Sequence, residues 1–273
     1  MSKDGQKTEV TAWQPFTFRG TAAFAKAGWP RLLLAQALAA AIVSTSCVWF
    51  LWRNYAPVIT EAVQKMPPGA VLEDGRLQGI PDPQIAENRF LALAVTSEKT
   101  VDFGQSADVQ AEFRANGVRL SSILRSFWGS MELGYGPGWH LDLGPATIQP
   151  WWGAWRPILL GCAGVAIVIL LLCLWALLAA LYTAPAKLVA WLADRELSWG
   201  GAWRLSGAAL IPGAAVLALD VLLYGCRVVD IIGFGVIVAA HFAIGWIYSI
   251  ISPGFAPRLF PSIKQNPFSA PST

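Results

Sequence analysis

Charge is scarce in this chain. Asp, Glu, Lys and Arg make up 14% of its 273 residues, against about 25% in a soluble domain. So little charge cannot cover a globule with polar surface, and the deficit points to a membrane protein. The net charge of +3 is too small to suggest a nucleic-acid partner. Histidine is nearly absent, with only His140 and His241. The four cysteines (Cys47, Cys162, Cys173 and Cys226) lie within or at the ends of apolar runs and show no C-x-x-C spacing. That excludes a disulfide framework and a thiolate metal site, and leaves them as small hydrophobes. No Ser/His/Asp order, metal-ligand spacing or glycine-rich phosphate loop accompanies them. Accordingly no catalytic, cofactor-binding or metal residue is assigned.

Long apolar runs are what the chain has in abundance. Four of them reach the roughly 20 residues that cross a bilayer, at 31–53, 157–184, 204–225 and 231–251. The first is interrupted only by Gln36 and Ser44-Thr45-Ser46. A lipoprotein cleavage site would want a bulky apolar residue three before Cys47, where Ser44 stands, and the run continues through Val48 to Leu51. It reads as an uncleaved anchor. The second run carries no charge from Ile158 to Ala184 and reads as ending at Pro185. Residues 185–203 bring Lys187, Asp194, Arg195 and Glu196 opposite Leu188, Trp191 and Leu192, and read as an amphipathic segment at the interface. In residues 1–30, Phe16, Phe18, Phe24 and Trp29 fit either a surface-lying helix or a loose tail with anchoring aromatics. The segment 252–273 contains Pro257, Pro261, Pro267 and Pro271 and reads as a disordered tail.

Residues 54–156 form one polar stretch between the first two spans, and its pattern is that of a small β-rich domain. Residues 55–65 extend the first helix until Pro67-Pro68 stops it. Asp74-Gly75, between apolar positions, signals a short hairpin. Arg89–Thr96 is apolar on both faces and predicts a central strand. From Asp108 to Arg114 the chain alternates, with Val109, Ala111 and Phe113 on one face and Gln110, Glu112 and Arg114 on the other. Asn116-Gly117 then turns it into another strand, and two weaker ones follow at 131–135 and 139–143. His140 and Asp142 share a face, as a dyad would, but with no third catalytic group beside them they read as a solvated strand face.

Trp49 and Trp52 close the first run, and Trp151, Trp152 and Trp155 precede the second. They fit one aromatic belt at a single interface, or a tryptophan cage for a ligand. Four spans place both termini on the same side. Lys3, Lys7, Arg19, Lys26, Arg31, Lys187, Arg195, Arg204, Arg258 and Lys264 fall on that side, and the short opposite turn has Arg227. The positive-inside rule makes the termini cytoplasmic and the β-rich domain extracytoplasmic. The predicted fold class is an α+β protein of the cytoplasmic (inner) membrane, with four transmembrane helices and a small β-rich domain between the first and second.

The third run, from Arg204, contains Pro212 and Asp220, which a spanning helix normally excludes. Pro212 predicts a bend whose freed carbonyl Ser206 and neighbouring helices satisfy. Asp220 lies five residues from the outer end, and His241 ten below the outer end of the fourth run. A hairpin then offsets them by about 7.5 Å, so a direct bond needs a stagger or a kink. Asp220 can instead pair with Arg227. These residues are either a proton- or ion-linked site or helix-to-helix glue. Ala209, Gly213, Ala214 and Ala218 add the small-residue spacing of close helix packing.

Arg204-Leu205-Ser206, Ala209-Leu210-Ile211-Pro212 and Asp220, entered through Trp199 and Trp203, resemble a family of uncharacterised bacterial integral membrane proteins distantly similar to the Yip trafficking proteins. Met66-Pro67 and Glu73-Asp74-Gly75-Arg76-Leu77 look like that family's extracytoplasmic start. Some relatives carry a label linking them to maltodextrin use, and the resemblance implies no catalytic residue. The expected function is non-enzymatic: an envelope sensor, scaffold or accessory subunit acting through the outer domain. Its partners would be the lipid bilayer and another envelope or membrane protein or a second copy, without nucleic acid and without a cofactor. A small transporter using Asp220, His241, Pro212 and Arg204 is the alternative, and a membrane enzyme the third reading.

Overall fold

A computed structural model of the chain describes residues 14–96, 107–123 and 129–259. Expectations that fall on 1–13 and on 260–273, most of the proline-rich tail, lie outside the described residues. The class is mixed α+β. Four helices are long and apolar enough to cross a membrane: Trp29–Gln64, Pro145–Leu192, Trp199–Gly225 and Ile231–Phe255. Eight strands among the described residues form two sheets.

The helices overrun the apolar stretches that announce them. Helix α2 (Trp29–Phe50) follows a short α1 (Phe18–Ala23) and passes through a π turn, Leu51–Tyr55, into α3 (Ala56–Gln64). Pro57 explains the π turn. It cannot donate to the ladder, and one wider turn, in which Ala56 N–H bonds Leu51 O, absorbs the gap. Helix α4 (Pro145–Leu192) is 48 residues long, about 72 Å at 1.5 Å per residue. It does not end at Pro185, and 185–203 is not one separate helix: residues 185–192 complete α4, and 199–203 open the next helix. A proline in a helix costs about 3 kcal/mol. Ending the helix inside an apolar run would strand several carbonyls, each at a comparable cost without water. Continuing is cheaper.

The chain divides into two compact units, each assembled from separated stretches. The first holds residues up to Val43, Ile167–Asp220 and the chain from Gly235; the second holds Ser44–Ala166 and Val221–Phe234.

The first unit is built around α5 (Trp199–Ala209) and α6 (Ile211–Gly225), joined at Leu210. Ala202, Leu205, Ala208, Ala209 and Leu210 are fully buried. Small side chains let neighbours approach closely: a Cβ on Gly207 would sit 3.1 Å from Gln36 Nε2, and one on Gly201 3.1 Å from Ala25 O. The N-terminal segment is folded against α5 and does not lie loose. Phe24 is buried with Ala27, Leu32 and Ala208, while Phe16 and Trp29 stay exposed. Helix α7 (Ile231–Ile251) buries His241, Gly245 and Ser249, one stripe at four-residue spacing. At the end of α4, Asp194 takes a left-handed conformation (φ 53°) and Arg195 N–H bonds Ala190 O, a Schellman-type stop. The start of the tail is ordered. Arg195 Nη1 donates to Ala256 O, Glu196 N–H to Pro257 O, and Leu259 N–H to Asp194 O. Proline cannot donate, but its carbonyl and its neighbour's are free to accept, and these donors use them.

The second unit contains both sheets. Strands β1 (Val71–Glu73) and β2 (Arg76–Gln78) form the hairpin that Asp74-Gly75 signals, both turn residues having positive φ (47° and 73°). This is the type I′ geometry whose twist suits a two-residue loop. The larger sheet has the order β3 (Gln84–Glu87), β4 (Leu91–Val95), β5 (Val109–Arg114), β6 (Gly117–Ser122), β7 (Ser130–Gly134). Every residue of β4 is buried, and β4 pairs with β5 in parallel. Strand β8 (His140–Asp142) adds to β1. On the polar face of the larger sheet Glu112 and Arg114 pair at 2.5 Å, and Glu132 lies 3.7 Å from Arg114.

Residues 221–234 close this unit. Tyr224 packs among Phe50, Phe90 and Phe234 with ring centroids 4.8–5.3 Å away. Its hydroxyl donates to buried Asp108 Oδ2 at 2.6 Å. Asn54 Nδ2 reaches Gly225 O, and Asn88 Nδ2 donates to Asn54 O. Burial pushes the Asp108 carboxyl above its ordinary range, and the nearby Asp230 adds to this. The Tyr224 bond and Arg89 oppose the shift without cancelling it. The unfolded chain therefore ionises Asp108 first as pH rises, and the folded state loses stability over the interval above the ordinary carboxylate value. Asp108→Asn keeps an acceptor and removes this titration. Its stability relative to wild type should rise as pH climbs from the ordinary carboxylate value of about 4 in thermal unfolding of the detergent-solubilised protein; a flat difference refutes the linkage. Tyr224→Phe should cost about 1.5–3 kcal/mol, the range for a hydrogen bond to a charged group.

Candidate functional site

Two features stand out for function, one in each unit. In the first, polar groups gather along the broken helix. Pro212 is the second residue of α6, and its ring and missing N–H break the ladder at Leu210. Two of the carbonyls left by the break find partners. Gly207 O accepts from Gln36 Nε2 at 3.2 Å, and Ala208 O from Leu210 N–H. Ser206, expected to serve a freed carbonyl, bonds Ser249 Oγ at 3.3 Å instead. Arg204 donates to Ala25 O at 2.6 Å and lies over the Trp29 ring. It anchors the N-terminal segment, and its guanidinium is committed there.

Asp220 and His241 are 1% and 2% exposed. Neither carboxylate oxygen and neither ring nitrogen has a hydrogen-bond partner among the described residues. The Val238 carbonyl is near the His241 ring but outside bonding geometry. His241 sits beside Gly213: a Cβ there would lie 2.6 Å from His241 O and 3.0 Å from Cδ2. Asp220 is seven residues further along α6, about 10.5 Å at helical rise. The two are therefore not a pair. Nor does Asp220 pair with Arg227, which lies 5.9 Å over the Phe90 ring. The four expected residues fall at three places along one helix pair, not in one cluster.

The second feature is an apolar cavity of about 770 Å³ inside the second unit. One wall is a cross-strand row, Val95–Phe113–Val118–Leu133, set by the register of β4 to β7. Leu72 and Leu77 of the hairpin face it. Ile59, Val63 and Met66 come from the end of α3, and Ile148, Trp151, Trp152 and Leu159 from the first turns of α4. Tyr135 donates its hydroxyl to Arg114 O at 3.0 Å, and Trp152 Nε1 donates to Thr60 Oγ1 at 2.9 Å. Burial pushes the Tyr135 phenol up to about 12, so it remains a donor. Trp151 and Trp152 thus face a space, as a ligand cage would, while Trp155 stacks on Trp151 from outside. At ~24 cal/mol per Å³ an empty void of this size would cost on the order of 18 kcal/mol, more than the about 5–15 kcal/mol net stability of a domain. A fold can carry such a space only open to its surroundings or filled.

His140 and Asp142 make no dyad. His140 is exposed, 3.5 Å from Glu73 Oε1. Asp142 accepts from Gly144 N–H and Thr147 Oγ1 at the start of α4, and these donors hold its carboxyl below the ordinary range. No three His, Cys, Asp or Glu among the described residues come together to hold a metal ion.

Gln36 and Asp220 should respond oppositely to substitution. Gln36→Leu removes the partner of Gly207 O and should destabilise by about 0.6–2 kcal/mol. Asp220→Leu removes an unpaired buried acid and should stabilise by about 1–3 kcal/mol. Thermal unfolding in detergent measures both, and a destabilised Asp220→Leu would show that the carboxylate has a partner after all.

Comparison with known proteins adds no relative: no family model, no curated protein and no solved structure matches this chain.

Proposed function

We propose that this chain is a non-enzymatic multi-pass protein of the cytoplasmic (inner) membrane whose β-rich unit binds an apolar ligand outside the cytoplasm. In that role it serves as an envelope sensor, scaffold or accessory subunit. The cavity carries the reading. Its volume of about 770 Å³ falls within the ~300–1,000 Å³ of small-molecule sites, and two of the four Tyr and Trp polar tips in its lining, those of Tyr135 and Trp152, are already bonded to protein. The ten Lys and Arg on the termini side against Arg227 opposite support both termini being cytoplasmic. Membership of the Yip-like bacterial family rests on the Arg204–Asp220 motifs and belongs to the same proposal. Filling the cavity tests the function. With full-length protein in amphipol, N-phenyl-1-naphthylamine should gain fluorescence with saturation. Val118→Trp and Leu77→Trp should lose at least five-fold of that signal while keeping the wild-type melting profile. Equal signals from all three proteins would refute binding in the cavity.

A second reading is favoured by Asp220 and His241, which are buried without partners beside a helix broken at Pro212. Broken helices with unpaired acids serve transporters as ion sites near the bilayer midplane. Under it, Asp220→Asn abolishes proton-coupled uptake in proteoliposomes while the protein stays folded. Unchanged proton flux across wild-type and Asp220→Asn vesicles removes that reading.

A further inference from the structure

We infer that the occupant of the apolar cavity is an acyl chain of a bilayer lipid, entering sideways from the membrane past Trp151 and Leu159. The inference rests on the proposed binding of an apolar ligand by the β-rich unit, and names that ligand.

Three observations carry it. The first is the chemistry of the wall. Tyr135 and Trp152 have turned their polar tips to Arg114 O and Thr60 Oγ1, and the rest of the lining is overwhelmingly hydrocarbon. With only the indole N–H groups of Trp139 and Trp151 left as further polar tips in the lining, such a wall favours a flexible hydrocarbon over a ligand with many polar groups to satisfy. The space is about five times the ~150 Å³ of an apolar cavity that takes one benzene, so a long chain suits it better than a ring.

The second is the mouth. Leu133, Trp139, Trp151 and Leu159 line the cavity and are 43–53% exposed. An entrance facing water would carry a polar rim, because exposed apolar patches of this kind mark contact with lipid or protein. Here the rim is as apolar as the interior.

The third is continuity with a membrane-length helix. Ile148, Trp151, Trp152 and Leu159 lie on α4, and Leu159 already belongs to the uncharged stretch Ile158–Ala184. Further along, Leu170, Leu177 and Leu181 stay 62–70% exposed, as a lipid-facing helix does. Trp151 and Trp155, stacked at 6.1 Å, directly precede that uncharged stretch, the position tryptophans take at the ends of spanning helices. A chain leaving the bilayer at that level meets the cavity wall without crossing water, while its headgroup stays outside.

The experiment uses the full chain in nanodiscs of phosphatidylethanolamine and phosphatidylglycerol, doped with a phospholipid carrying a diazirine near the end of one acyl chain. After irradiation and proteolysis, mass spectrometry locates the adducts. The inference expects adducts on the interior strands, at Leu72, Leu77, Val95 or Val118, beside those on the outward face of α4. It also expects the strand adducts to fall at least five-fold in Leu133→Trp, which narrows the mouth, with α4 adducts unchanged. Adducts confined to the helices overturn it, and this outcome needs only the wild-type protein. If N-phenyl-1-naphthylamine still binds in that case, the apolar-ligand reading survives and the lipid inference alone fails. If the dye also fails to bind, both fall.

Discussion

A carbonyl in an apolar run must be bonded by the protein itself, and most of this structure follows from that. Water is not at hand to rescue a broken ladder. Helix α4 therefore continues through Pro185, where a proline would tend to end a helix in water. The one place where the ladder does break, at Leu210, is served by a side chain from another helix, Gln36 on Gly207 O. Near Pro57 the backbone inserts a π turn. These are three answers to one requirement: tolerate the loss, borrow a partner, or widen the turn.

The two units satisfy a second requirement, close packing, in different ways. Around α5 and α6 packing is achieved by smallness. Gly201, Gly207, Gly213 and Gly245 stand where a Cβ would approach backbone or side chain at 2.6–3.1 Å. In the second unit large aromatics do the work: Phe50, Phe90, Tyr224 and Phe234 form one cluster around a buried Tyr–Asp hydrogen bond. The same unit leaves space between its sheets and the ends of two helices. The first unit is thus dense, and the second encloses a cavity.

Local features were legible in the sequence, and pairings across the chain were not. Asp74-Gly75 demands positive φ at two neighbouring residues, and the hairpin is there. Alternation from Asp108 to Arg114 placed Ala111 and Phe113 on one face correctly. What that face looks onto could not be read, because a cavity is defined by elements from four distant stretches. The prolines misled, since their cost is local while the cost of stopping a helix depends on the medium. Gln36 looked like a flaw in an apolar run. Its pattern, one amide in a span and one proline in another, was a signal for borrowed bonding, but the sequence does not say which carbonyl it meets. Asp220 and His241 are separated along the helix pair, and the position of His241 beside Gly213 makes the gap larger than the hairpin estimate.

The bond between Asp108 and Tyr224 also fixes an order of assembly. Its two ends are 116 residues apart. During synthesis at about 5–20 residues per second, roughly 6–23 s pass between the appearance of the acid and of the phenol that covers it. Throughout that interval the strands can pair, yet Phe50 and Phe90 have no Tyr224 or Phe234 to close over them. The β-rich unit is thus encoded early and completed late, by residues Val221–Phe234. A nascent chain halted before residue 221 would present an open aromatic face, a natural place for a chaperone to act.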